Sequence, residues 1–176
     1  MHLGRTRVTD MMKARKSMTE DWTMLPILVT ATVGFVAAMF DFVFLQHLTF
    51  QPSALLGLVL LVAGGYVRMK ARVQLKEKAG FKTLAATARL QTMEGHRLVK
   101  DGLYKHIRHP LYLGETVRNF GLVIIFSSIY GIVLIAASTV FIALRIRMEE
   151  RMLIQIFGEE YKEYQKATKR IIPYIY

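Results

Sequence analysis

Charge and apolarity are segregated into blocks along this chain, and that segregation constrains the fold more than any other feature. Four stretches are almost uncharged: residues 24–45, with Asp41 as the only charge; 54–67; 111–126, with Glu115 and Arg118 in its first turns; and 129–144. A helix needs about 20 residues to cross the hydrocarbon core of a bilayer, and the shorter blocks reach that length by taking in flanking residues. The cations lie elsewhere. Residues 47–53 and 127–128 contain no Lys or Arg, whereas the segment before residue 24 has Arg5, Arg7, Lys13, Arg15 and Lys16. The 68–108 segment has 11 Lys and Arg against three acids, and the tail from Arg145 has seven. An even number of spans puts these basic segments on one face, which the positive-inside rule makes cytoplasmic. The expected fold is all-α: an integral membrane helical bundle with about four transmembrane helices, a long cytoplasmic loop and cytoplasmic C-terminal helices.

The net charge of +11 would otherwise suggest nucleic acid. Topology and anionic lipid headgroups account for it, so no nucleic-acid partner is expected. The absence of Cys excludes disulfides, thiolate nucleophiles and Cys-ligated metals, and no metal site is expected. An apolar content of 53% excludes intrinsic disorder. The first block is long and follows a polar arm, which argues against a cleaved signal. A single membrane domain over 1–176 follows: a cytoplasmic arm 1–23, two spans in 24–67, a cytoplasmic helix and loop in 68–108, two spans in 109–147, and C-terminal helices in 148–176.

The long loop is where the chain departs from a plain bundle. Residues 68–89 fit a helix, either an extension of the second span or an interfacial amphipathic helix. Gly95 and Asp101-Gly102 are turn signals, and Leu98-Val99 between them fits a short strand or extended strip. Pro110 belongs in the first turn of the third span, where its missing N–H costs nothing. Arg108, His109, Tyr112 and Glu115 then gather at the start of that helix, and such a helix start suits an anionic group. The fourth span continues without a break to Gly158, with Arg145 and Glu149 four apart on one face. A short amphipathic helix starts at Glu159. Singly, each feature has a structural explanation: interfacial anchoring for Tyr104, His109 and Tyr112, a solvated ion-paired face for 145–151, mutual pairing for Glu115 and Arg118. Two polar clusters on helices joined by a minimal turn point instead to a site. The roles of Asp41 and Glu115 stay open.

The run Gly102-Leu-Tyr-Lys-His-Ile-Arg-His-Pro-Leu-Tyr112, followed by Glu149-Glu150-Arg-Met-Leu-Ile-Gln-Ile-Phe-Gly-Glu-Glu-Tyr161, resembles the isoprenylcysteine carboxyl methyltransferase family of membrane enzymes. The resemblance extends from His96 to Pro173; the N-terminal half matches only as apolar spans. It implies S-adenosylmethionine as cofactor and a lipid or prenylated acceptor entering from the bilayer. By position, the resemblance implies that His96, Arg97, Leu98 and Val99 form a strip meeting the cofactor. It likewise makes Tyr104 an aromatic contact, His109, Pro110, Leu111 and Tyr112 the main cofactor-binding run, Glu149 the carboxylate at the cofactor's polar end, and Arg145 the substrate-side, catalytic arginine. Arg108 and Glu150 add a donor and an acceptor. Phospholipid N-methyltransferases and NADPH-dependent sterol reductases share the Arg-His-Pro half, and Gly114-Glu115 is reminiscent of the reductases.

The chemistry of the residues bears on these alternatives. There is no G-x-G-x-x-G and no alternation of strands and helices, so a cofactor would be held by helix ends and one loop. A carboxylate acceptor has an ordinary pKa of ~4 and needs no general base. An amine acceptor must lose a proton, for which His109 is available. The basic residues are also compatible with a 2′-phosphate, and a non-enzymatic protein on the same scaffold is the third class. Topology is directly testable, because the chain lacks Cys. A Cys placed at Gln51 should react with an impermeant thiol reagent from outside the cell, and one at Lys78 should not; the opposite pattern reverses the orientation.

Overall fold

A computed structural model describes residues 22–79 and 97–172. Five α-helices occur among them: α1 (Met24–Phe40), α2 (Ser53–Ala79), α3 (Pro110–Ile125), α4 (Ile129–Phe157) and α5 (Glu159–Ala167). No named strand is present among the described residues, which agrees with the all-α expectation. Three helical segments are long and apolar enough to cross a bilayer: Met24–Leu45, Ser53–Lys78 and Ile129–Phe157. The third expected span, α3, has 16 residues. At 1.5 Å per residue it covers roughly 24 Å, less than the hydrocarbon thickness. The chain is a multi-pass membrane protein, and Leu25, Leu28, Leu55, Val62, Val133 and Val140 expose their side chains as lipid-facing residues do.

The chain divides into two compact units. The first comprises 22–69 and 110–145. Its helices pack through small residues, as expected where lipid removes the hydrophobic drive for helix association. A Cβ on Gly57 would meet the Gly121 carbonyl at 2.8 Å, and one on Gly121 would meet the Gly57 carbonyl at 2.7 Å. Gly64 and Gly114 show the same reciprocity, at 2.8 and 2.7 Å. The two pairs are seven residues apart on each helix, so α2 and α3 run antiparallel with their backbones touching. On the other side of the unit, a Cβ on Gly34 would lie 3.0 Å from that of Leu134, and one on Gly131 would lie 3.1 Å from that of Ala38. Ala38, Val123 and Ile135 form the buried apolar cluster.

The helix ends of this unit are tied by polar groups. α1 widens into a π turn over Asp41–Leu45, closed by the Gln46 N–H on the Asp41 carbonyl at 3.0 Å. Asp41 is buried and accepts a hydrogen bond from the Ser128 hydroxyl. The Ser128 oxygen in turn accepts the Gly131 N–H at 2.9 Å, which caps α4. Asp41 therefore joins the end of α1 to the start of α4, where a negative charge also suits the helix dipole.

The second unit, among the described residues, comprises 70–79, 97–109 and 146–172. Here α2 and α4 continue past their apolar portions. Residues 97–100 carry no regular structure, and a 3-10 turn follows at Gly102–Lys105. Gly158, at φ +59°, breaks α4 from α5. The tail returns beside the loop: the Arg108 N–H donates to the Lys169 carbonyl at 2.8 Å, the His109 N–H to the Arg170 carbonyl at 3.1 Å, and the Lys169 N–H to the His106 carbonyl at 3.2 Å.

Because the α2–α3 contact leaves no room for a side chain at Gly64, Gly64→Val should destabilise the protein by about 1–3 kcal/mol. Nothing lies within 4 Å of a Cβ on Gly65, so Gly65→Ala should be tolerated. Thermal unfolding in detergent separates the two; equal behaviour would mean that the helices are not in close contact.

Candidate functional site

The polar residues of the second unit converge on one carboxylate. Glu150 is 4% exposed. Its Oε1 accepts from Arg108 Nε at 2.8 Å and lies 3.4 Å from His109 Nε2. Its Oε2 accepts from Arg170 Nε at 3.0 Å and Nη2 at 2.7 Å. A carboxylate this deeply buried is stable only when paired and fully hydrogen-bonded, and three cationic or cation-capable side chains meet that need. Arg108 is committed further: Nη1 donates to the Gln165 carbonyl at 3.0 Å and to the Thr168 carbonyl. One guanidinium thus holds α4, α5 and the tail together.

Glu149, the preceding residue on α4, is placed differently. Its side chain stays one-fifth exposed, and its Oε2 lies 4.0 Å from His109 Nδ1. The His109 ring therefore stands between two carboxylates, each facing one ring nitrogen. His109 itself is 4% exposed.

Tyrosines form the wall beside this cluster. Tyr104 donates to the Ala71 carbonyl at 3.3 Å and accepts, at its own carbonyl, the Tyr164 hydroxyl at 2.6 Å. Burial pushes the phenols of Tyr104 and Tyr164 up, with the Glu149 charge adding to the effect on Tyr104. The 3-10 turn bearing Tyr104 is fixed by the Leu103 N–H on Gln74 Oε1 at 3.2 Å. Val99 is buried, Leu98 half-buried and Arg97 exposed; His96 lies outside the described residues.

The first unit holds the other expected residues. Arg145 is 3% exposed. Its Nε donates to the Tyr112 hydroxyl at 2.9 Å, and its Nη1 lies 3.5 Å from Thr23 Oγ1. Pro110 starts α3 as expected and is buried; Leu111 and Tyr112 are half-buried. Glu115 sits between two guanidiniums, paired with Arg68 and, at 2.5 Å, with Arg118. The Asn119 amide donates to the same carboxylate at 3.4 Å and its carbonyl accepts from Arg118 Nη2 at 3.0 Å. The pairing of Glu115 with Arg118 follows from their spacing; the participation of Arg68, 47 residues earlier, does not.

Two differences from the sequence expectation stand out. The Arg108 and His109 N–H groups, expected as donors at a helix start, are taken by the tail. The side chains of Arg108 and Glu150, expected as a donor and an acceptor for the cofactor, bond to each other, His109, Arg170 and the tail. Arg170, Thr168 and Tyr164 are the residues that sequence reasoning missed. Their only sequence signal is that the resemblance continues through Thr168-Lys-Arg-Ile-Ile-Pro173.

Removing the Glu150 carboxylate would take from the buried Arg108 guanidinium its paired carboxylate. Glu150→Ala should therefore cost about 3–5 kcal/mol of stability. Glu159→Ala, at an exposed pair with Lys162, should change it by less than about 1 kcal/mol. Chemical or thermal denaturation of both variants in detergent checks this, and a mild Glu150→Ala would deny the cluster its structural role.

A family model for phospholipid methyltransferases matches residues 52–160. A protein-S-isoprenylcysteine O-methyltransferase of Schizosaccharomyces pombe is 32% identical over 133 residues, covering 75% of this chain and 54% of that protein. A methanethiol S-methyltransferase of Bradyrhizobium diazoefficiens is 36% identical over 72 residues, covering 41% of this chain and 25% of that protein. The solved structure of a eukaryotic intramembrane Ras methyltransferase, an isoprenylcysteine carboxyl methyltransferase, superposes with a TM-score of 0.65 at 27% identity, covering 84% of this chain and 52% of that one. This chain thus spans about half the length of two of these relatives and a quarter of the third. The matched stretch takes in α2, the 3-10 turn, α3, α4 and the Glu149–Glu150 pair, more than half of the residues, and by that match the chain belongs to the phospholipid methyltransferase family.

Proposed function

We propose that this protein transfers a methyl group from S-adenosylmethionine to a lipid-like carboxylate, most simply that of an isoprenylated cysteine or a similar prenylated acid. The observation that carries the reading is the His109 ring held between Glu149 and Glu150. The similarity to isoprenylcysteine methyltransferases over three-quarters of the chain supports it.

The residues suit the cofactor. Glu150 is enclosed by cations, whereas Glu149 remains partly exposed and suits the ammonium or ribose hydroxyls. Leu98, Val99 and Tyr104 offer apolar and aromatic surface for an adenine ring, and His109 adds a polar contact. In this reading Arg108 and Glu150 are positioning residues that set His109. When bound, S-adenosylmethionine supplies a methyl group on a positively charged sulfur. The protein's task is then orientation. The acceptor carboxylate is already ionised, so His109 need not remove a proton. Arg145 can grip one carboxylate oxygen through its planar fork and aim the other, and exclusion of water prevents loss of the methyl to solvent. The prenyl tail would reach the site from the bilayer, and both termini and the 68–108 segment would face the cytoplasm.

A second reading is favoured by the family description and by the methanethiol S-methyltransferase relative: the nucleophile is an amine or a thiol. Either must be deprotonated first, which gives His109 work as a base.

The reaction product separates these readings. Membranes containing the protein, given a farnesylated cysteine analogue and S-adenosylmethionine with a labelled methyl group, should yield lipid-soluble label released as volatile methanol by mild alkali. Alkali-stable label would favour the amine or thiol reading. Oxidation of NADPH on addition of a sterol, without methyl transfer, would overturn both. In the same assay Arg145→Ala should lose turnover while keeping S-adenosylhomocysteine affinity, and Arg145→Lys should rescue poorly. Glu149→Ala should lose about 1.5–3 kcal/mol of that affinity.

A further inference from the structure

The turn that opens α1 is committed to α4. Threonine is favoured just before a helix because its hydroxyl takes a free N–H of the first turn. Thr23 occupies that place, yet its side chain makes no such bond, and its backbone is helical, at φ −73° and ψ −22°, rather than extended. Thr23 is nevertheless buried. Its hydroxyl oxygen lies 3.5 Å from Arg145 Nη1. Neighbouring contacts join the same two elements. Trp22 meets Phe141 edge-on, with ring centroids 6.5 Å apart, and Ser138 donates to the Ile27 carbonyl at 3.4 Å. Ser138, Phe141 and Arg145 are spaced as one face of a helix is. The Thr23 contact is thus one of three along a packed face.

A second contact on the same guanidinium comes from α3, where the Tyr112 hydroxyl accepts from Arg145 Nε at 2.9 Å. A guanidinium as deeply buried as this one must be hydrogen-bonded. Tyr112 and Thr23 are neutral partners, so these two contacts fix the place of the guanidinium without opposing its charge. An arginine presents its planar fork usefully only when the plane is held. Contacts at two different nitrogens, one from α3 and one from the start of α1, hold it.

We propose that Tyr112 and Thr23 are positioning residues for methyl transfer, which keep the Arg145 guanidinium in the orientation that receives the acceptor carboxylate. The assignment rests on the reading of this chain as a carboxyl methyltransferase with Arg145 on the acceptor. It gives Tyr112, which the resemblance puts among the cofactor contacts, a different task. It also brings in Thr23, from the start of a helix that carries none of the expected site residues.

Kinetics, cofactor titration and thermal unfolding of the full chain in detergent test it together. Tyr112→Phe, Thr23→Val and Thr23→Ser are compared with the wild type. The substrates are a farnesylated cysteine analogue and S-adenosylmethionine with a labelled methyl group, and S-adenosylhomocysteine is the calorimetric ligand. Valine resembles threonine in shape and lacks the hydroxyl; serine keeps it. Tyr112→Phe should lower kcat/KM for the farnesylated analogue by about tenfold, and Thr23→Val, which loses the longer contact, by about threefold. S-adenosylhomocysteine affinity should stay at the wild-type value, and Thr23→Ser should recover most of the activity. Unchanged kcat/KM in Tyr112→Phe and Thr23→Val would overturn the assignment. So would a matching loss of S-adenosylhomocysteine affinity, which would put these residues on the cofactor, or a Thr23→Ser variant as slow as Thr23→Val, which would make the side chain a packing group only. A lower unfolding temperature with loss of both kcat/KM and affinity would mark a structural role and overturn it too. A wild type that binds S-adenosylhomocysteine but methylates no prenylated carboxylate would overturn the acceptor reading itself, and this assignment with it.

Discussion

A single buried carboxylate organises the unit outside the apolar spans. Glu150, on α4, takes up Arg108 and His109 from the residues before α3 and Arg170 from the tail, so three separate stretches of chain meet at it. Nothing local holds those stretches together. Residues 106–109 share only a short backbone pairing with 169–170, marked by one isolated parallel bridge between Ile107 and Lys169. The charge cluster gives that pairing its register, because a buried carboxylate stripped of its partners is too costly to tolerate. The setting of His109 against Glu149 depends on the same cluster.

The spanning unit solves a different problem. Its outer surface is apolar, and lipid solvates apolar side chains as well as a protein core would, so burial of such side chains does not hold the helices together. Close approach and polar ties do. The Gly57–Gly121 and Gly64–Gly114 contacts bring two backbones together, and the Asp41–Ser128 bond joins the ends of two others. The Glu115 cluster with Arg68, Arg118 and Asn119 adds a third tie, its charges largely compensated by one another.

Helix α4 carries residues of both units. Arg145 is hydrogen-bonded to Tyr112 in one unit. Glu149 and Glu150 belong to the other. Consecutive residues on a helix point about 100° apart, so adjacent glutamates meet different surroundings: Glu150 is enclosed by cations and Glu149 is left partly exposed. One helical step separates a structural carboxylate from one suited to a ligand.

Much of this was legible in the chain. The apolar blocks marked the helices, since a stretch that avoids charge for most of its length can be satisfied by lipid. Pro110 marked the start of α3 and Gly158 the end of α4, because each imposes a backbone constraint that no packing can override. Helical spacing put Arg145 and Glu149 on one face of α4. What the tertiary structure alone decided were the pairings between distant residues. No periodicity links Glu150 to Arg170, Arg68 to Glu115, Asp41 to Ser128, or Gly64 to Gly114. Each depends on how far helices advance and turn before the chain returns, and a sequence read one window at a time carries no record of that distance. It is for this reason that two neighbouring glutamates, alike in sequence, have unlike surroundings in the fold.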